Sequence, residues 1–230
     1  MRNNLSQLIS LSKIEEKLYR PADAYELSRV TRMEHVKTTI VETPQEGIAA
    51  VAARIAQLIN RREANGQKTV LSLASGRSMR DLFVELVRLH KEEGLSFKNV
   101  VVFGSYEFYP LSDTTSGSMA QIQSQLLEHV DILPENVHTF PGDLPKEDVF
   151  AFCEEYEKAI VEAGGIDVQV LGIGQCGNIA MNEPGTQPNS STRLVIMDGN
   201  SRVDVKSLFG NVAQVPTCAI TLGVETILQA

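Results

Sequence analysis

The chain has 230 residues, is 43% hydrophobic and 22% charged, and carries a net charge of −8, a profile that fits a globular protein able to bury a sizeable core. Its acidity argues against general affinity for nucleic acid or an anionic membrane, and leaves room only for a local basic pocket. Three scattered cysteines, Cys153, Cys176 and Cys218, exclude a disulfide framework or zinc knuckle and fit a reducing cytoplasm, and no apolar run is long enough to span a bilayer.

Residues 1–36 read as an N-terminal helical arm. Leu5, Leu8, Ile9, Leu11, Ile14 and Leu18 space an amphipathic helix that Pro21 breaks, and a shorter helix is predicted over 22–29. Its expected role is docking, onto the parent domain or onto a neighbouring subunit of a homo-oligomer. Residues 37–230 read as the main domain, opening with a predicted strand over 37–42. Thr43-Pro44-Gln45-Glu46 then marks a helix start, with Thr43 as cap and Glu46 completing a capping box. That helix carries Ile48, Val51, Ile55, Leu58 and Ile59 on one side and stops near Asn65-Gly66.

Residues 69–73 are a predicted buried strand, 74–78 a small-residue turn, and 79–91 an amphipathic helix with Leu82, Phe83, Leu86 and Leu89 inward, ended by Gly94. A strand over 99–103, a long polar loop over 104–117 and a helix over 118–130 follow. A short strand is predicted over 137–140, a helix over 148–162 and a strand over 167–171. Beyond them come strands over 193–197 and 218–222, with a turn of helix over 203–209 between. A helix begun at Gly223 meets Ala230, an abrupt stop that leads us to expect closing strands beyond it. Strands alternating with helices predict an α/β fold: a doubly wound, mostly parallel sheet with helices on both faces, Rossmann-like.

Three segments carry candidate chemistry. In Leu73-Ala-Ser-Gly-Arg-Ser-Met79 a strand turns into a helix N-terminus, which gathers free N–H groups and about half a positive charge. Ser75 and Ser78 add hydroxyls there, Gly76 a close backbone approach and Arg77 a cation; the competing reading is a tight connection that binds nothing. In Phe103-Gly-Ser-Tyr-Glu-Phe108, at the carboxyl end of a strand, Tyr106 and Glu107 can hydrogen-bond a polar ligand or pack the loop onto the sheet edge. In 168–184 a strand enters a turn with Gly172, Gly174 and Gly177, followed by Asn178, Asn182 and Glu183. Cys176 has no histidine near it in sequence and reads as an inert turn residue. His35, His90, His129 and His138 lack metal-ligand spacing, so neither a metal site nor a cofactor is expected. A nucleotide-binding Rossmann domain is not expected either, for want of its fingerprint and downstream acidic residue.

These segments, in this order, resemble the glucosamine-6-phosphate deaminase (isomerase) family, and the likeness runs from Lys37 to Ala230. The family's L-A-T-G-S-T-P is matched by 73–79, its F-N-x-D-E-Y by 103–108, and its G-x-G-x-D-G-H-I-x-F-N-E-P by 172–184. Flanking stretches at 90–98, 128–132, 189–193 and 219–224 are also similar. The resemblance implies conversion of glucosamine 6-phosphate and water to fructose 6-phosphate and ammonia, by side chains alone. It implies phosphate binding by Ser75, Gly76, Arg77 and Ser78, and substrate contacts from Glu107, Gly174 and Gly177.

The base that removes the C2 proton falls at Tyr106. The aspartate and histidine of the ring-opening relay fall at Cys176 and Asn178, and the relay glutamate is retained as Glu183. A phosphate-binding lysine of the family would lie beyond Ala230. A tyrosine, with a reference pKa of about 10, is a poor base at neutral pH, and asparagine cannot shuttle a proton. The resemblance therefore leads us to expect a degenerate member with little or no turnover. The alternative expectation is a sugar-phosphate-binding or structural subunit.

Overall fold

The computed structural model describes residues 23–25, 28 and 38–230, and the chain divides into two compact units, Met1–Val41 and Glu42–Ala230. In the first unit Ala24, Tyr25 and Ser28 are helical, and the helix expected from Leu5 to Leu18 lies outside the described residues. The strand expected over 37–42 is not formed by residues 38–42. A strand exists only where a neighbouring backbone pairs with it, and the parallel sheet ends at other strands.

Helix α1 (Pro44–Ala64) starts as the sequence predicts, with the Thr43 hydroxyl accepting the Glu46 N–H at 3.2 Å. The Glu46 carboxylate reaches back one residue further than a capping box requires, to the Glu42 N–H at 3.1 Å. Strand β1 (Thr69–Leu73) leads through a short turn into α2 (Arg77–Glu93), which buries Met79, Leu82, Phe83, Leu86 and Leu89 and ends at a left-handed Gly94. Then come β2 (Val100–Gly104), β3 (Tyr106–Tyr109), α3 (Ser118–Gln125), β4 (Val137–His138), α4 (Val149–Glu162) and β5 (Val168–Val170). The second unit ends with β6 (Arg193–Ile196), α5 (Gly199–Val205), β7 (Cys218–Thr221) and α6 (Val224–Leu228). No helix among the described residues is long and apolar enough to cross a membrane.

The main sheet is parallel in the order β4-β2-β1-β5, with Thr69 opposite Val100 and Leu71 opposite Val168. Both central strands are buried throughout, Thr69 and Ser72 of β1 included, as befits strands covered on both faces. Chain order reverses at β1: the path runs outward through β2 and β4, then returns to β5 on the other side. Right-handed crossovers put the helices of these opposite excursions on opposite faces of the sheet. The α/β expectation holds, with one correction to the polar loop expected over 104–117. Its first part is β3, buried along its length, which joins a second, antiparallel sheet in the order β3-β7-β6.

The two sheets meet at Ser105, which is fully buried. Its N–H donates to the Leu73 carbonyl at 2.9 Å and its carbonyl accepts the Leu222 N–H at 3.0 Å, so one residue belongs to both. Gly223, just after β7, lies against the backbone of Ser190 and Ser191, and a methyl group there would overlap the Ser190 carbonyl. A Gly223→Ala variant is expected to lose at least about 2 kcal/mol, because backbone must shift to admit the methyl. Urea denaturation checks this, and an unchanged midpoint would contradict the packing described.

Candidate active site

A cavity of about 200 Å3 opens at the carboxyl ends of β1 and β5, where the strand order reverses. Open α/β sheets leave a crevice at that point because neighbouring loops diverge to opposite faces. One wall is Ala74–Met79, from the turn and the first residues of α2. The other comes from Gly172–Gln175, Asn178, Ala180 and Met181. Tyr106 and, from α5, Asp204 and Val205 complete it.

The first wall is built for close backbone approach. Gly76 caps α2 with φ +127°, a conformation that disfavours any residue with a Cβ, and no side chain caps the helix. The N–H groups of Arg77 and Ser78 therefore have no partner inside the helix and lie on the cavity wall. Ser75, Gly76, Arg77 and Ser78, the expected phosphate turn, all line the space. The Arg77 guanidinium is 83% exposed and meets the Asp204 carboxylate at 3.3 Å, and the Gln175 amide donates to the same oxygen at 3.0 Å.

Tyr106 enters from β3 with its hydroxyl 2.9 Å from that of Ser75. Burial pushes its phenol above the usual value of 10.0, against the opposing effect of the Ser75 and Ser118 hydroxyls, and the charges of Glu107 and Asp204 push the same way as burial. The phenol thus stays protonated at neutral pH.

Alternation along β3 sends Glu107 the other way, so the expectation that it contacts substrate at this cavity needs correction. Its carboxylate is 3% exposed and accepts the N–H groups of Phe108 at 2.8 Å, Ser118 at 2.8 Å and Met119 at 2.9 Å. It is the anchor of the α3 N-terminus. Burial raises its pKa, and the three N–H donors only partly offset that.

The glycine-rich stretch is held mainly by its own backbone. Gly174 N–H donates to Asn178 O and Gly177 N–H to Gly174 O, both at 2.9 Å, and Gly177 sits at φ +81°. Gly174 has no room for a Cβ because the Asn178 side chain occupies it. Its spacing, Gly172-x-Gly174-x-x-Gly177, does match the dinucleotide fingerprint, contrary to the sequence expectation. Yet turns and isolated bridges follow where that fingerprint opens a helix.

Of the four positions expected to handle protons, two reach the cavity wall, Tyr106 and Asn178, and the Asn178 amide donates to the Ala180 carbonyl at 3.1 Å. Cys176 and Glu183 are not on that wall. One Glu183 oxygen accepts the Asp198 N–H at 3.2 Å at the start of α5, and the other is buried without a partner. Gln175 and Asp204 were not singled out in the sequence. Asp204 reaches the site through a short helix from a distant segment, and no local pattern marks it. Ala180, with φ +47° and on the cavity wall, is likewise silent in sequence, although left-handed backbone at a non-glycine residue often marks a site.

The fold and the place of its cavity define an open α/β protein with its crevice at the sheet's switch point. The chain belongs to the family of glucosamine-6-phosphate isomerases and 6-phosphogluconolactonases, whose model matches residues 42–209. A glucosamine-6-phosphate deaminase-like protein of Bacteroides thetaiotaomicron is 44% identical over 231 residues, covering 100% of this chain and 35% of that protein. The chain therefore spans about a third of that relative's length. The glucosamine-6-phosphate deaminase of Bacillus pumilus is 38% identical over 180 residues, 76% of this chain and 72% of that enzyme. Among solved structures, a monomeric glucosamine-6-phosphate deaminase superposes with a TM-score of 0.78 at 32% identity, covering 85% of this chain and 79% of that one.

A titration checks the state of Tyr106. A tyrosine whose folded pKa is raised contributes stability that is full below its unfolded value of about 10 and is lost as pH rises through the folded value. The near-ultraviolet difference between the protein and Tyr106→Phe is expected to stay flat from neutral pH to about 10. A phenolate signal appearing below pH 9 would contradict the burial argument.

Proposed function

We propose that this chain is a glucosamine-6-phosphate deaminase-like protein that keeps a crevice for the phosphorylated amino sugar and has lost most or all of the family's turnover. The carrying observation is Tyr106, a buried phenol hydrogen-bonded to Ser75, at the position where the family's C2-proton base falls. With its pKa raised above about 10, fewer than about one phenol in a thousand is ionised at pH 7. Losing a general base costs about 10²–10⁴ in rate. The ring-opening relay offers no compensation: Asn178 is a neutral amide on the Ala180 carbonyl, Cys176 lies off the cavity wall, and Glu183 binds the Asp198 N–H. Asp204 is a carboxylate on the wall, but it stands on α5 beside Arg77 of the phosphate turn and not at the position of the family's base.

Retained binding is supported by the uncapped first turn of α2 with Ser75, Ser78 and Arg77 around it. Free N–H groups and a guanidinium suit a phosphate, and Tyr106 and Asn178 suit sugar hydroxyls. The three free thiols fit work in a reducing compartment such as the cytoplasm, in amino sugar metabolism. The alternative, a purely structural or regulatory subunit, shares the fold and differs in having no ligand.

Ammonia and fructose 6-phosphate release from glucosamine 6-phosphate is expected at least about a hundredfold below an active deaminase. Turnover within tenfold would overturn the reading. Calorimetry with glucosamine 6-phosphate is expected to give measurable heat, whereas none at millimolar ligand would favour the structural subunit. Converting Tyr106→Asp, Cys176→Asp and Asn178→His together is expected to raise turnover above that of the parent chain.

A further inference from the structure

We propose that Asp204 is a built-in counter-anion of this cavity, holding Arg77 until a phosphorylated ligand displaces it. The inference rests on the phosphosugar reading above. Three segments far apart in sequence meet at one oxygen: the Arg77 guanidinium at 3.3 Å and the Gln175 amide at 3.0 Å both point to the same Asp204 oxygen. All three residues line the cavity, one from α2, one from the glycine-rich turn and one from α5. The carboxylate thus sits at the positive end of α2 on the wall an incoming anion would use.

The two partners differ in how firmly they are held. Asp204 belongs to α5, which is tied down at several points. The Asp198 N–H donates to Glu183 at 3.2 Å, and the Arg202 guanidinium donates to the carbonyls of Val212 at 3.0 Å and Val215 at 2.9 Å. The Asp204 side chain is 27% exposed, that of Arg77 83% exposed on a flexible stem. Arg77 is therefore the part that moves. A phosphate dianion offers a guanidinium paired hydrogen bonds and more charge than one carboxylate oxygen, so it takes Arg77 from Asp204 when bound. A neutral sugar or a weak monoanion gains nothing from that exchange, and Asp204 repels the anion it fails to outcompete. The contact therefore lowers affinity for every anion and favours dianions over monoanions.

Calorimetric titrations of glucosamine 6-phosphate into the protein, Asp204→Asn, Arg77→Gln and the double variant test this. Asn keeps the shape and can still accept from Gln175. Asp204→Asn is expected to bind at least about fivefold tighter at low salt, with the gain shrinking as salt rises. The gain is expected to shrink when Arg77→Gln is also present, leaving only the part due to direct repulsion between Asp204 and the phosphate. Glucosamine without phosphate is expected to show no gain. Asp204→Ala, measured alongside, guards against misfolding of one variant. If the protein binds and both Asp204 variants bind no tighter, the counter-anion is overturned while the phosphosugar reading stands. If neither the protein nor any variant binds at millimolar ligand, the phosphosugar reading falls and the counter-anion with it.

Discussion

The peptide at Ser105 sets the geometry of everything around the cavity. Its N–H completes the parallel sheet at Leu73 and its carbonyl completes the antiparallel one at Leu222. The Ser105 hydroxyl also meets Ser72 at 3.1 Å and the Gln169 amide at 2.9 Å, so β1, β5 and the junction between β2 and β3 share one polar contact. A backbone group buried this deeply must be paired, and pairing in both directions leaves the chain no freedom at the junction. Tyr106 is the next residue. Its ring is fixed over the turn after β1, which brings its hydroxyl to Ser75.

The same logic accounts for residues of the glycine-rich stretch that match the family's pattern, whatever the chemistry of the site. Gly174, Gly177 and Asn182 answer to the fold. Gly174 has no room for a Cβ, Gly177 needs its left-handed backbone, and the Asn182 amide donates to the Leu222 carbonyl at 2.9 Å. The Met181 N–H donates to the Thr221 hydroxyl at 3.2 Å and pins the stretch to the end of β7. Nothing in that framework depends on an acid at 176 or an imidazole at 178. On the proposed reading those positions are released from proton transfer, whereas Gly177 and Asn182 are still held by the fold.

Much of the fold was legible in sequence because its signals are local. Mainly apolar runs marked β1 and β2, and Thr43 with Pro44 and Glu46 marked the start of α1. What was not legible depends on distant partners. Tyr106–Tyr109 resembles a loop until β7 arrives from far along the chain to pair with it, and only that pairing turns Glu107 away from the cavity to the N-terminus of α3. Residues 38–42 have a strand-like composition but form no strand. For the site, the turn after β1 could be read from its small residues, while Gln175 and Asp204 could not. Glu183 stands out in sequence as the lone carboxylate of its stretch, while its direction, toward Asp198, was hidden in tertiary structure.

The central claim of the proposed reading is that Tyr106, at the position of the family's C2-proton base, cannot take the C2 proton of the sugar at neutral pH. Proton NMR of glucosamine 6-phosphate incubated with the protein in heavy water reads removal of the C2 proton from the open-chain sugar, independent of ammonia release. The account predicts that the C2 proton signal persists as long as in a protein-free control. Its loss at a rate well above that control would mean that a base is present and that the account of Tyr106 is wrong.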